Sequence, residues 1–219
     1  MELELGPWLD AFTAAVTGAF PGRVACIGLQ GSRGRGEARA DSDIDMVVIL
    51  DRLEYDDLAR YRAAVESLPH RELLCGFVSG REELLAWDPA ELFQFYHDTR
   101  PVLGDLEFLR GRFGWEDAER AVRAGLCGVY HGCVHNSLHE RDPALLAGLY
   151  KSAVFTLQAR HFLETGRFLR RHRDLLGELE GEEQEILRRA LDFRADGQPS
   201  LEEDGALLLR WCGRLLKAE

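Results

Sequence analysis

Asp43 and Asp45 are separated by one residue in Ser42-Asp43-Ile44-Asp45, at the head of the apolar run Met46 to Leu50, which has the composition of a buried strand. Side chains alternate faces along a strand, so the two carboxylates point the same way while Ile44 and Met46 point into the packed layer. Like charges side by side repel unless a cation sits between them. Hard oxygen donors of this kind suit Mg²⁺, which takes one or two carboxylates and leaves its other positions to water and substrate phosphates. Upstream, Gly31 lets the backbone turn tightly toward an anion, and Ser32 offers it a hydroxyl and an amide. An anion cradle beside a cation site suits chemistry on a nucleoside triphosphate, where a metal neutralises the charge of an in-line displacement. A third acidic group is then expected nearby, as a metal ligand or as a base for the attacking hydroxyl. Glu72, opening a third strand, is the best placed candidate.

The elements that must hold these groups follow from hydrophobic periodicity. Trp8, Leu9, Phe12, Val16 and Phe20 predict a helix over 7–20, closed by Pro21-Gly22. Strands are expected at 23–29 and 44–50, joined by a loop rich in glycine. A helix over 55–68, stopped by Pro69, precedes a strand over 72–78. Short helices at 81–86 and 89–96 and an extended segment at 100–104 complete this part. Beyond Gly111 only helical spacing remains, over 116–138, 143–165, 182–193 and 201–216. The boundary therefore falls near 110–114, giving domains 1–110 and 111–219.

The pattern G-S-x-x-x-G-x-x-x-x-x-S-D-I-D before an apolar strand resembles the signature of DNA-polymerase-β-like nucleotidyltransferases, with Gly31, Ser32, Gly36, Ser42, Asp43 and Asp45 in the expected places. The resemblance implies an α/β (α+β) nucleotidyltransferase domain with a small mixed sheet flanked by helices. It places Mg²⁺ on Asp43 and Asp45, and the triphosphate by Gly31, Ser32 and Ser42. Within the superfamily the chain is most similar to the streptomycin/spectinomycin adenylyltransferase branch, which adds an all-α helical bundle domain, here 111–219. Glu72 in E-L-L-C-G-F-V holds a place like that of the branch's catalytic base. Phe95 to Gly104 resembles the last segment of its first domain, and Phe155 to Gly166 resembles a second-domain helix that also ends in T-G. A lysine shortly after that T-G contacts the triphosphate in the branch. Arg171 stands at the matching place, keeping the charge with a different geometry, and Lys151 is a further phosphate-ligand candidate. The implied activity is transfer of AMP from ATP to a hydroxyl of a small acceptor in the interdomain cleft, with release of pyrophosphate. A polycationic aminoglycoside would suit acidic walls, to which Glu91, Asp98, Glu164, Asp174 and Glu178 could contribute. Relatives of the same outline modify proteins or transfer RNA or act as antitoxins, so a macromolecular acceptor and a nucleotide-binding regulatory module are the alternatives.

Composition narrows the choice. The chain has 219 residues, with 27 basic and 38 acidic side chains and a net charge of −11. The first 110 residues carry 11 of the basic and 20 of the acidic groups. That balance opposes nonspecific nucleic-acid binding, which needs a basic surface to displace counterions, and suits a cation. No apolar run reaches the roughly 18–20 residues that a bilayer span needs, and the acidic start Met1-Glu2-Leu3-Glu4 is unlike a secretory signal. A cytoplasmic protein is expected. Five cysteines without a C-x-x-C pair read as free thiols. His131, His135 and His139 share a helix face but lack H-E-x-x-H, and read as a polar stripe rather than a zinc site. Arg33 and Arg39 read as solvated partners of nearby acids. Trp87, Trp115, Phe93, Phe95 and Tyr96 read as packing, with stacking on a base or sugar as the other use. No coiled-coil heptad specifies an oligomer.

Overall fold

In the computed structural model, which describes residues 3–195 and 197–218, the apolar stripe of Trp8, Leu9, Phe12 and Val16 is buried along helix α1 (Leu5–Ala19). Gly22, at φ 72°, turns the chain into β1 (Val24–Leu29), followed by a single helical turn, α2 (Gly31–Arg35). The sequence reading expects only a loop there, because a five-residue helix spans too few positions to show a period. β2 (Ile44–Leu50) leads through α3 (Tyr55–Val65) to β3 (Leu74–Gly80). α3 stops short of the expected Leu68, since the residue before Pro69 is pushed away from helical geometry. β3 begins two residues later than expected: His70 is left-handed at φ 56° and Arg71–Leu73 form a 3₁₀ turn. α4 (Arg81–Leu85), α5 (Pro89–Asp98) and β4 (Arg100–Gly104) complete this unit, which ends at Arg112.

The sheet order is β3-β2-β1-β4, with β2 and β3 parallel and the other pairs antiparallel. Residues that pair across neighbouring strands share a face. Ile27, Leu29, Ile44, Met46, Val48 and Leu50 form one face, buried together with Trp8, Phe12, Val16 and Phe20 of α1 and Val65 of α3. Asp45 and Val47 belong to the opposite face, where Phe77 of β3 packs edge-on against Trp87 and Phe95 at centroid distances of 5.0 and 5.5 Å.

Arg23 ties the start of β1 to the end of β2 and to the N-terminus of α3. Its Nε donates to Asp51 Oδ1, and Nη1 and Nη2 donate to the two carboxylate oxygens of Asp57, each at 2.9 Å. The Asp57 carboxyl is held down at about 2, first by the Arg23 hydrogen bonds and then by the Glu54 amide. A depressed carboxyl contributes stability that is present above its unfolded value, near 3.9, and is lost as pH falls through about 2. Arg23→Gln is therefore expected to lower Tm by about 3–6 °C near neutral pH, with the difference from wild type shrinking as the pH falls from about 4 to about 2. A constant Tm difference across that range in thermal melts would refute the assignment.

The second unit, from Phe113 onward, is helical. α6 (Trp115–His135) continues through a π-type turn, and α7 (Pro143–Thr165) runs between an Asp142 cap and left-handed Gly166. α8 (His172–Glu178), α9 (Gly181–Arg194) and α10 (Glu203–Ala218) follow. Leu126, Val129, Tyr150, Leu157, Ile186, Leu208 and Trp211 are buried in this unit. Among the described residues no helix is long and apolar enough to cross a membrane.

Candidate active site

The carboxylates lie at the start of β2. Asp45 is the second residue of β2, half-buried, and Asp43 precedes the strand and is exposed. The main chain leaving β1 closes over Asp45: the Gln30 amide donates to the Asp45 carbonyl at 2.8 Å. Gly31 then turns at φ 63° with its Cα pressed on the Asp45 side chain. A Cβ at Gly31 would overlap Asp45 Oδ2 and lie 2.8 Å from the carboxyl carbon. No other residue type fits this contact unstrained. The glycine–serine turn and the second aspartate of the motif thus form one unit, with Ser32 half-buried beside them.

The two arginines of α2 face the protein. Arg33 is buried, and its guanidinium donates to the Ser42 carbonyl from Nε at 3.1 Å and Nη2 at 2.7 Å, and to the Ala40 carbonyl at 3.2 Å. It therefore shapes the loop that delivers Asp43, in contrast to the solvated role expected from sequence. Within that loop the Ser42 hydroxyl accepts from the Arg39 amide at 2.9 Å. Arg35, also buried, donates from Nη1 to Asp98 Oδ1 at 3.2 Å and lies 3.5 Å from Glu37. Asp98 in turn accepts the Gly31 amide at 3.4 Å. The sequence reading places Asp98 on an acidic wall; the structure buries it among these partners, with the carboxylate 10% exposed. Asp98 and Glu37 thus share the Arg35 guanidinium beside the turn that closes on Asp45. The donor set fits Mg²⁺, which needs only one or two protein carboxylates when water and substrate phosphates supply further ligands. Among the described residues no three His, Cys, Asp or Glu gather into a metal-sized cluster.

Glu72 lies in the 3₁₀ turn ahead of β3, 72% exposed, with Oε1 3.6 Å from His70 Nδ1. The β3 residue in register with Asp45 is Cys75, an exposed thiol. The other candidate phosphate ligands belong to the second unit. Lys151 is exposed on α7, and Arg171 caps α8 at the end of the loop 166–171. Buried Gln158 holds that loop by donating to the carbonyls of Leu169 at 2.9 Å and Arg170 at 3.1 Å. His161 Nδ1 lies 3.0 Å from the Arg167 carbonyl, so that nitrogen carries the proton. His131 and His135 of α6 and His139 of the π-type turn that follows have neighbouring ring centroids 6.3 and 5.0 Å apart. Glu164 and Glu178, named for an acidic wall, pair with Arg160 and Arg167.

Sequence reasoning named Asp98 only for an acidic wall and did not single out Thr99. No local pattern marks them, because their partners lie more than sixty residues away in the chain.

Residues 17–85, which include the Gly31–Asp45 motif and Glu72, match the family model of the nucleotidyltransferase domain. No match was found among curated protein sequences. Among solved structures, the chain is similar to spectinomycin adenyltransferase AAD(9) from Enterococcus faecialis, crystallised with ATP and spectinomycin. The likeness has a TM-score of 0.61 at 12% identity and covers 96% of this chain and 98% of that one. It is a likeness of fold, spanning a small mixed sheet and a C-terminal helical region. Residues 17–85 thus carry the nucleotidyltransferase domain of an enzyme of that type, in a chain whose fold is like that of spectinomycin adenyltransferase AAD(9).

Proposed function

We propose that the protein transfers AMP from ATP, with Mg²⁺, to a hydroxyl of a small acceptor and releases pyrophosphate. The observation that carries this reading is the closure of the Gly31–Ser32 turn onto Asp45, an arrangement that suits a phosphate seat beside a metal-binding carboxylate. The similarity to a protein crystallised with ATP and spectinomycin supports a nucleotide and a small hydroxyl-bearing acceptor.

Asp43 and Asp45 would hold the metal, which when bound would supply charge neutralisation for the displacement at the α-phosphorus. Ser32 gives its amide and hydroxyl to phosphate oxygens. Ser42, whose carbonyl is anchored by Arg33, sets the approach of Asp43. Glu72 is assigned as the base that takes the acceptor's proton, and its exposure leaves it open to a diffusing substrate. Arg171 and Lys151 are assigned to the triphosphate. An aminoglycoside is the acceptor class that best suits the acidic charge of the first 110 residues.

The test is pyrophosphate release from ATP and Mg²⁺ across a panel of aminoglycosides, with product mass scored for an added AMP and Asp45→Asn as control. Release that depends on the acceptor and disappears in the variant is the expected result. ATP·Mg²⁺ binding without release across the panel would remove the small acceptor in favour of a protein or RNA acceptor or a nucleotide-binding regulator.

A further inference from the structure

The C-terminal end of α5 meets the phosphate-seating turn at several points. Asp98 Oδ2 accepts the Gly31 amide at 3.4 Å, and Oδ1 accepts Arg35 Nη1 at 3.2 Å, so one carboxylate spans both ends of α2. Thr99 Oγ1 accepts Gln30 Nε2 at 2.8 Å and donates to the Phe95 carbonyl at 2.6 Å, while its methyl closes against Gly28. Asp98 and Thr99 are 7% and 2% exposed. Two adjacent residues thus hold the chain from Gly28 to Arg35.

We propose that Asp98 and Thr99 are positioning residues for nucleotide binding, bracing the Gly31–Ser32 turn against Asp45 so that the phosphate seat exists before the nucleotide arrives. The inference rests on the nucleotidyl-transfer reading above. Glycine at a positive φ has the most backbone freedom to lose, and an unbraced Gly31 would have to be ordered by the ligand itself. A turn fixed in advance removes that cost from the binding step. The brace also divides the donors. The Gly31 amide is committed to Asp98, leaving the Ser32 amide and hydroxyl to face phosphate, whereas sequence alone assigns the anion to both residues.

The test is calorimetric titration of ATP with Mg²⁺ into the full chain as wild type, Asp98→Asn, Asp98→Ala and Thr99→Val, with a thermal melt of each. Asp98→Ala, which removes both acceptors, is expected to weaken nucleotide affinity about tenfold or more. Asp98→Asn, which leaves one carbonyl oxygen for two donors, should lose about threefold. Thr99→Val keeps the methyl against Gly28 but deprives Gln30 of its nearer acceptor, leaving only the Phe95 carbonyl at 3.5 Å, and should lose about threefold to tenfold. Graded losses in variants that still melt cooperatively support the brace. Unchanged affinity in Asp98→Ala overturns it, as do equal losses in Asp98→Ala and Asp98→Asn that merely follow reduced Tm. If Asp98→Ala does not fold, Thr99→Val decides, and wild-type affinity there overturns the proposal. A wild-type chain that binds no ATP·Mg²⁺ overturns the transfer reading itself, an outcome distinct from any change confined to the variants.

Discussion

Asp45→Asn is expected to reduce AMP transfer by about a thousandfold or more while leaving the chain folded. Metal stabilisation of a phosphoryl displacement is worth several kcal/mol, and about 4 kcal/mol corresponds to three orders of magnitude in rate. The amide has nearly the shape of the carboxylate, so the contact with Gly31 survives and the buried face of β2, from Met46 to Leu50, is untouched. Exposed Asp43 is no part of the core either, and Asp43→Asn should behave alike. The measurement is turnover by product mass, paired with circular dichroism and a melt. A variant that keeps more than a tenth of wild-type turnover would sink the two-carboxylate assignment.

The second large effect is expected at Gly31, where a single added methyl group acts in two ways. An L-residue at φ 63° costs about 1–2 kcal/mol in backbone strain. The methyl must also displace the Asp45 carboxylate, the group assigned to the metal. Gly22 separates these causes, since it has a similar φ of 72° but nothing within 4 Å of its added Cβ. Gly22→Ala should therefore lower Tm by a few degrees and leave ATP·Mg²⁺ affinity unchanged. Gly31→Ala should lower Tm by at least as much and weaken affinity at least about tenfold, as one misplaced metal ligand loses about 1.4 kcal/mol or more. Parallel melts and titrations of the two variants decide the matter. Equal nucleotide affinity in both would show that the close approach of Gly31 to Asp45 does not serve binding.

The chain's own order of residues determined the elements whose signals are local. β2 occupies the expected 44–50, where the apolar run Met46–Leu50, rich in β-branched residues, is buried on both faces of the sheet. α7 occupies the expected 143–165, because Asp142 with Pro143 starts it and Gly166 ends it. The change from mixed to purely helical spacing near residue 111 likewise stands in the sequence, and the spacing of Gly31, Ser32, Asp43 and Asp45 was enough to suggest nucleotide chemistry. Only the tertiary structure decided which groups meet around that motif. Strand register set Cys75, not Glu72, beside Asp45, and periodicity carries no information about register beyond the choice of face. Arg33 and Arg35 look alike in Gly-Ser-Arg-Gly-Arg, yet one grips the Ser42 carbonyl and the other reaches Asp98. Helical and strand periods are properties of neighbours a few residues apart, whereas the contacts of Gly31 with Asp98 and of Gln30 with Thr99 join residues 67 and 69 positions apart, and only the packing of α5 over the sheet brings such pairs within hydrogen-bonding distance.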